Sequence, residues 1–395
     1  MLRRALPGLP LLAVLLLLGC RPGSVEPEAA QPFVFRDLNL QQRDRQGRLL
    51  WQIQSPETRY DISRRLAQSR QLRGVIYRQG KPLYRLTASN AVVINDGEIV
   101  QLEGPTRVQR LDPQRPALLT AQRVRWYPSQ QRMEIDRDPR AVQGELELSA
   151  GLARFLLDQD RLELRQQPLL RRGGSEPVRL ALGQVDWWPA SGALIARGPV
   201  QGQRTLADGA IQRLTAPALR GNTRSQLIDL QAPVHLEDPS RQAVLEAQAT
   251  RLDLQRRTAA SDLPFSGRYG ASDLAGGGFR LDGASSTVLV LNGCQLRQPG
   301  EQLSASRCFW DWRSGQAAAS GGVVLRRKAQ QLETRAERLE GRIARDGFAS
   351  FSAPGGQVRS QLRLSPEGRP AGAADRPGRP ARPGAAADRP PPFQL

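Results

Sequence analysis

The sequence predicts an elongated all-β protein assembled from about nine 30-residue β-repeats. Three observations carry that reading. A Leu-x-Ala pattern recurs about every 29 to 34 residues, apolar residues inside each unit are spaced by two, and short turn signals separate the apolar runs. No long helical periodicity competes with them.

Taken in chain order, residues 1–20 have the build of an export signal. Arg3 and Arg4 precede an apolar run from Leu9 to Leu18, then Gly19 and Cys20. That run is too short for the roughly twenty residues of a membrane-spanning helix. Leu17-Leu18-Gly19-Cys20 resembles the lipobox of bacterial lipoproteins, in which Cys20 would carry the lipid and begin the mature chain. Residues 21–33, with Pro22, Gly23 and Pro27, then form a flexible tether.

The repeat domain is expected over residues 34–364. Its recurring tripeptide stands at Leu86-Thr87-Ala88, Leu119-Thr120-Ala121, Leu148-Ser149-Ala150, Leu180-Ala181-Leu182, Leu214-Thr215-Ala216, Leu245-Glu246-Ala247, Leu274-Ala275-Gly276 and Leu303-Ser304-Ala305, with a degraded Leu332-Glu333-Thr334. Apolar residues follow each leading Leu at regular offsets. The first unit has Leu86, Ala88, Ala91, Val93, Val100 and Leu102, and the second Leu119, Ala121, Val124, Trp126, Met133 and Ile135. The third has Leu148, Ala150, Phe155, Leu162 and Leu164, and the fourth Leu182, Val185 and Trp187. Spacing by two marks a strand with one buried face. The step of three between the second and third apolar residues would turn the side chains over, unless the chain bends there into another sheet. Each unit is therefore a strand, a corner, a second strand, a turn and a return, with turns at Asn95-Asp96-Gly97, Pro128-Ser129 and Pro189-Ala190-Ser191-Gly192. Stacked units give two facing sheets about 85 Å long. The residues just named would line the space between them as a continuous apolar groove, if the small alanines leave a slot; alternatively they only let the sheets approach closely.

Export places the chain in an oxidising compartment, so Cys294 and Cys308, on either side of the turn Gln298-Pro299-Gly300, form a candidate disulfide, two buried free thiols being the alternative. Residues 365–395 turn to Pro, Arg, Gly and Ala and make a disordered tail. The formal charge is +19, and all but two of the 57 basic residues are arginine. They are spread along the chain, without the clustered stripe or motif of a nucleic-acid binder, and suit anionic lipid headgroups or a phosphate-bearing glycolipid. With one histidine and no grouped cysteines, neither a metal nor a cofactor is expected.

The Leu-Thr-Ala units, with Ile99-Val100-Gln101-Leu102-Glu103-Gly104-Pro105 after the first, resemble the OstA-like unit of lipopolysaccharide-export proteins. The run Leu50-Trp51-Gln52-Ile53-Gln54-Ser55-Pro56-Glu57-Thr58-Arg59-Tyr60-Asp61 resembles the start of the periplasmic LptC component, and the likeness extends over about residues 34–240. The resemblance implies an antiparallel β-jellyroll of V-shaped section, a β-taco, open at both ends. It implies a non-enzymatic bridge that takes lipopolysaccharide acyl chains from an inner-membrane ABC exporter and passes them toward the outer membrane. The implied partners are lipopolysaccharide, the exporter subunits, and LptA-like or LptD-like jellyrolls docked strand edge to strand edge. Such proteins are typically half this length or less and hold the membrane by a helix; here a lipid on Cys20 would anchor the chain in the periplasm, at the inner membrane.

Two other function classes compete. One is a lipid-anchored scaffold or adhesin with a filled core, which Trp126 and Trp187 packed across the interior would favour. The other is a β-solenoid enzyme acting on polysaccharide, for which Glu134, Asp136 and Asp138, or Glu145 and Glu147, would have to supply paired carboxylates.

Overall fold

A computed structural model describes residues 33–329, 331–343, 349–352 and 359–362. The export signal, Cys20, almost all of the tether and the C-terminal tail lie outside the described residues. What is described is almost entirely antiparallel β-structure, 32 strands in one hydrogen-bonded network with three short 3-10 turns.

Six long strands open the chain: β1 (Phe33–Arg43), β2 (Leu49–Asp61), β3 (Leu66–Arg78), β4 (Lys81–Ile94), β5 (Ile99–Arg110) and β6 (Leu118–Tyr127). Each runs through two sheets. In β4, residues 90–94 pair in sheet I and 81–88 in sheet II, and the register slips at Ala88/Asn90 where the strand turns the corner. The step of three in the repeat falls at this corner, so side chains on both arms point inward. Asp37, Gln71 and Gly104 take the left-handed conformation at the corners of β1, β3 and β5. At Gly104 the missing Cβ makes that conformation inexpensive.

Beyond β6 the corner becomes a break and each arm is a separate short strand. Arg132–Arg137, Leu152–Leu156, Arg161–Arg165 and Gln184–Trp187 continue sheet I. Arg140–Gln143, Leu146–Ser149, Leu169–Arg172 and Val178–Ala181 continue sheet II. The later strands Ser272–Asp282, Thr287–Gln298, Gln316–Arg327 and Leu332–Ile343 again span both sheets. The expected turns close the hairpins: Asn95–Gly97 and Pro128–Gln130 are 3-10 turns, and the Gly192 amide donates to the Trp188 carbonyl at 2.8 Å.

Register turns the repeat into rows. On the inner face of sheet I, Val93, Val100, Trp126, Met133, Phe155, Leu162 and Trp187 stand opposite one another strand by strand. On that of sheet II, Leu86, Val108, Leu119, Ala141, Leu148, Leu170 and Leu180 do the same. These rows form one buried apolar cluster from Ile53 to Cys294 and a second from Leu296 to Leu339.

Cys294 and Cys308 are joined by a disulfide, with Cα atoms 5.9 Å apart. They are not ladder partners: Cys294 lies opposite Ala305 in sheet II and Cys308 opposite Val290 in sheet I. The bond therefore staples the two sheets beside their corner.

Candidate functional site

The candidate site is the apolar interior between the sheets. All twenty residues singled out for a groove face it, and all but Ala150, which is half-buried, are buried. Leu86, Val100, Leu102, Met133, Ile135, Leu164 and Val185 have no exposure at all. Trp126 meets Trp51 edge to face, with ring centroids 5.6 Å apart. Over these repeats the sheets pack against each other, and the space that small alanines left open in the sequence is filled by side chains from the opposite wall.

The interior opens further along. A cavity of about 90 Å³ lies among residues 244–343, walled by Leu245, Phe265, Leu274, Phe279, Leu281 and Trp310. The sequence pattern points to a groove in the first four units; the larger of two apolar cavities lies in the last ones. Gly267, which stands opposite Leu245 and Leu274, is the one glycine that lines this cavity.

Four indole N–H groups, of Trp126, Trp187, Trp310 and Trp312, are buried without a hydrogen-bond acceptor. An unmet donor in an apolar surround is costly, and Trp310 and Trp312 are the two that wall the larger cavity, where a ligand carbonyl would be favoured.

The rims of the sheets are latched by polar residues that the repeat pattern did not mark. Tyr84 and Arg110, on sheet II, and Asp160, in the turn 157–160 of sheet I, are all buried. Arg110 Nη1 donates to Asp160 Oδ1 at 2.8 Å and to the Tyr84 hydroxyl at 3.2 Å, and the Tyr84 hydroxyl donates to Asp160. The second Asp160 oxygen accepts from the Ala190 amide at 2.8 Å. Burial, and then the Asp160 carboxylate, push the Tyr84 phenol far above its ordinary range. Arg78 reaches across the same opening to the carbonyls of Leu157 and, at 3.2 Å, Asp158. A small apolar cavity bounded by Tyr84, Phe155, Trp187 and Pro189 lies beside the latch. Arg110 could have been found from the sequence, because it continues the inward alternation Thr106, Val108, Arg110.

Three of the carboxylates considered for catalysis stand beside arginines. Asp136 takes both donors of Arg123 at 2.7 Å, which hold its carboxyl below the usual carboxylate range. Glu134 lies near Arg132, and Glu147 near both Arg140 and Arg171. Asp136 and Glu147 make cross-strand ion pairs on the outer faces and Glu134 pairs along its own strand, away from the apolar interior.

Residues 19–167, less than half of the chain, match the family model described as lipopolysaccharide-assembly, LptC-related. The match covers β1 to β6 and the first strands after the sheets part. LptC-related proteins belong to the cell envelope, and no helix among the described residues is long and apolar enough to cross a membrane. No curated protein matches the chain.

Proposed function

We propose that this protein is a non-enzymatic periplasmic lipid bridge: it holds lipopolysaccharide acyl chains between its two sheets and passes them from the inner-membrane ABC exporter toward the outer membrane. The observation that carries the reading is the set of inward rows, apolar and in register across the two-sheet body, joined to an LptC-related N-terminal part. Shielding acyl chains from water takes no bond-making, only a continuous apolar surface. The unmatched indole N–H groups support it, since ester and amide carbonyls of bound acyl chains would satisfy them. On this reading residues 34–364 act as one repeat domain, Cys20 carries the lipid that holds it at the inner membrane, and residues 365–395 trail as a tail.

The closed interior means that acyl chains enter as the rims part around Asp160, or from the cavity at residues 244–343. Docking partners would be other jellyrolls of the export system. The outer edge of β1, where Phe33, Val34 and Phe35 are all about half exposed, offers a strand edge for such pairing.

A filled-core scaffold is the second reading, favoured by the full burial of Trp126 and Trp187. Photo-crosslinking in cells separates the two. A crosslinker at Val124, Trp126 or Phe279 captures lipopolysaccharide if the interior carries lipid, and Val124→Asp or Ile135→Arg abolishes capture at the other positions. Adducts only at outer-face positions such as Arg154 would overturn the bridge and leave the scaffold.

A further inference from the structure

The two outer faces differ in charge. On sheet I, arginines are matched by carboxylates: Arg123 with Asp136 at 2.7 Å, Arg165 with Asp186 at 2.9 Å, and Arg251 with Asp229 at 2.7 Å. Sheet II is different. Its outward positions between β3 and Val178–Ala181 carry Arg73, Arg85, Arg107, Arg140, Arg171 and Arg179, all exposed, and among the described residues a single carboxylate, Glu147.

The register lays these side chains out as an array. Arg73, Thr87, Arg107, Thr120 and Arg140 stand opposite one another on successive strands, with an arginine on every second strand. Arg171 and Arg179 face each other directly, a like-charge pair offset only by Glu147 opposite Arg171, which a further anion over the face would relieve. Glu147 sits close enough to pair only with Arg140 and Arg171. Between the arginines the same face presents half-buried aliphatics, Val75, Leu118, Val142 and Leu169. The array spans eight strands, about 34 Å.

We propose that this outer face of sheet II is a membrane-contact surface that lies against an anionic phospholipid bilayer. Arginine makes bidentate contacts with phosphate, and the aliphatics between suit the boundary of headgroups and acyl chains better than they suit a purely polar partner. The surface is independent of the interior and of any lipid on Cys20. It would turn the outer face of sheet II toward a membrane and leave the outer face of sheet I on the aqueous side.

The test uses the full-length chain with vesicles containing about a third phosphatidylglycerol and with vesicles of phosphatidylcholine alone. Arginine modification by phenylglyoxal, read by mass spectrometry, reports which face is covered. Phosphatidylglycerol vesicles should shield Arg73, Arg85 and Arg107 while Arg125 and Arg154 on sheet I stay reactive, and phosphatidylcholine vesicles should shield none of them. The triple variant R73Q/R85Q/R107Q changes exposed side chains with no ion pair among the described residues, so it should keep the melting temperature. Its partitioning onto the anionic vesicles at low salt should fall roughly hundredfold against the parent chain. Equal shielding of both faces, shielding by phosphatidylcholine, or unchanged partitioning of the variant would overturn the proposal. So would equal shielding by soluble polyphosphate at the same phosphate concentration, which would assign the face to a soluble polyanion.

Discussion

Asp160 is the residue on which most rests, because one carboxylate joins two rims. Replacing it with Ala removes the close partner of the buried Arg110 guanidinium and leaves it only Asp112, 3.9 Å away, so the expected loss is about 3 kcal/mol, measured by denaturant unfolding. Replacing Asp160 and Arg110 together with apolar residues should recover most of that loss, and on the bridge reading it should also alter the rate of lipid loading. Asp186 gives a pH signature. Burial raises its carboxyl, but donors from Arg197 at 2.6 Å and Arg165 at 2.9 Å outweigh burial and hold it below the usual range. A depressed carboxyl stabilises fully above its unfolded value of about 3.9 and loses that contribution as pH falls through the folded value. The melting-temperature gap between the parent chain and Asp186→Asn should therefore be constant from pH 7 to 5 and close toward pH 3. Neither side chain was legible as a partner in the sequence. Asp160 sits in a turn, where an acid is unremarked, and its partners Tyr84 and Arg110 are 76 and 50 residues away.

At the scale of the element, the corner is what the sequence made plain and the filling is what it hid. The step of three between Ala88 and Ala91, and between Ala121 and Val124, could only be reconciled with one buried face by a bend, and both bends are there. Whether the alanines left a slot depended on how closely the opposite sheet approached, a distance that no local pattern encodes. Glycines at the break between the arms set how closely neighbouring rungs approach. A Cβ on Gly183 would lie 2.5 Å from the Arg197 carbonyl oxygen, so Gly183→Ala should cost about 1–3 kcal/mol by forcing the backbones apart. The disulfide closes a short loop, with a sequence separation of 14. Reducing it should lower stability by about 3 kcal/mol, read as a shift in the denaturant midpoint, while strands before Ser272 keep their hydrogen-exchange protection.

For the whole molecule, stability is shared between neighbours. Val178–Ala181 pairs only with Leu169–Arg172 and Val200–Thr205, and the same holds down both ladders. Excising residues 180–213 brings Leu214 to the place of Leu180, and the ladder should close behind the cut. The expected product is a folded chain shorter by two rungs in each sheet, about 10 Å in its longest dimension by small-angle scattering. A collapsed or unfolded product would show that the units are not interchangeable. The number of units is thus a ruler: lengthening or trimming the chain by whole repeats would tune how far it reaches across a gap of fixed width, while the cross-section that any cargo meets stays the same.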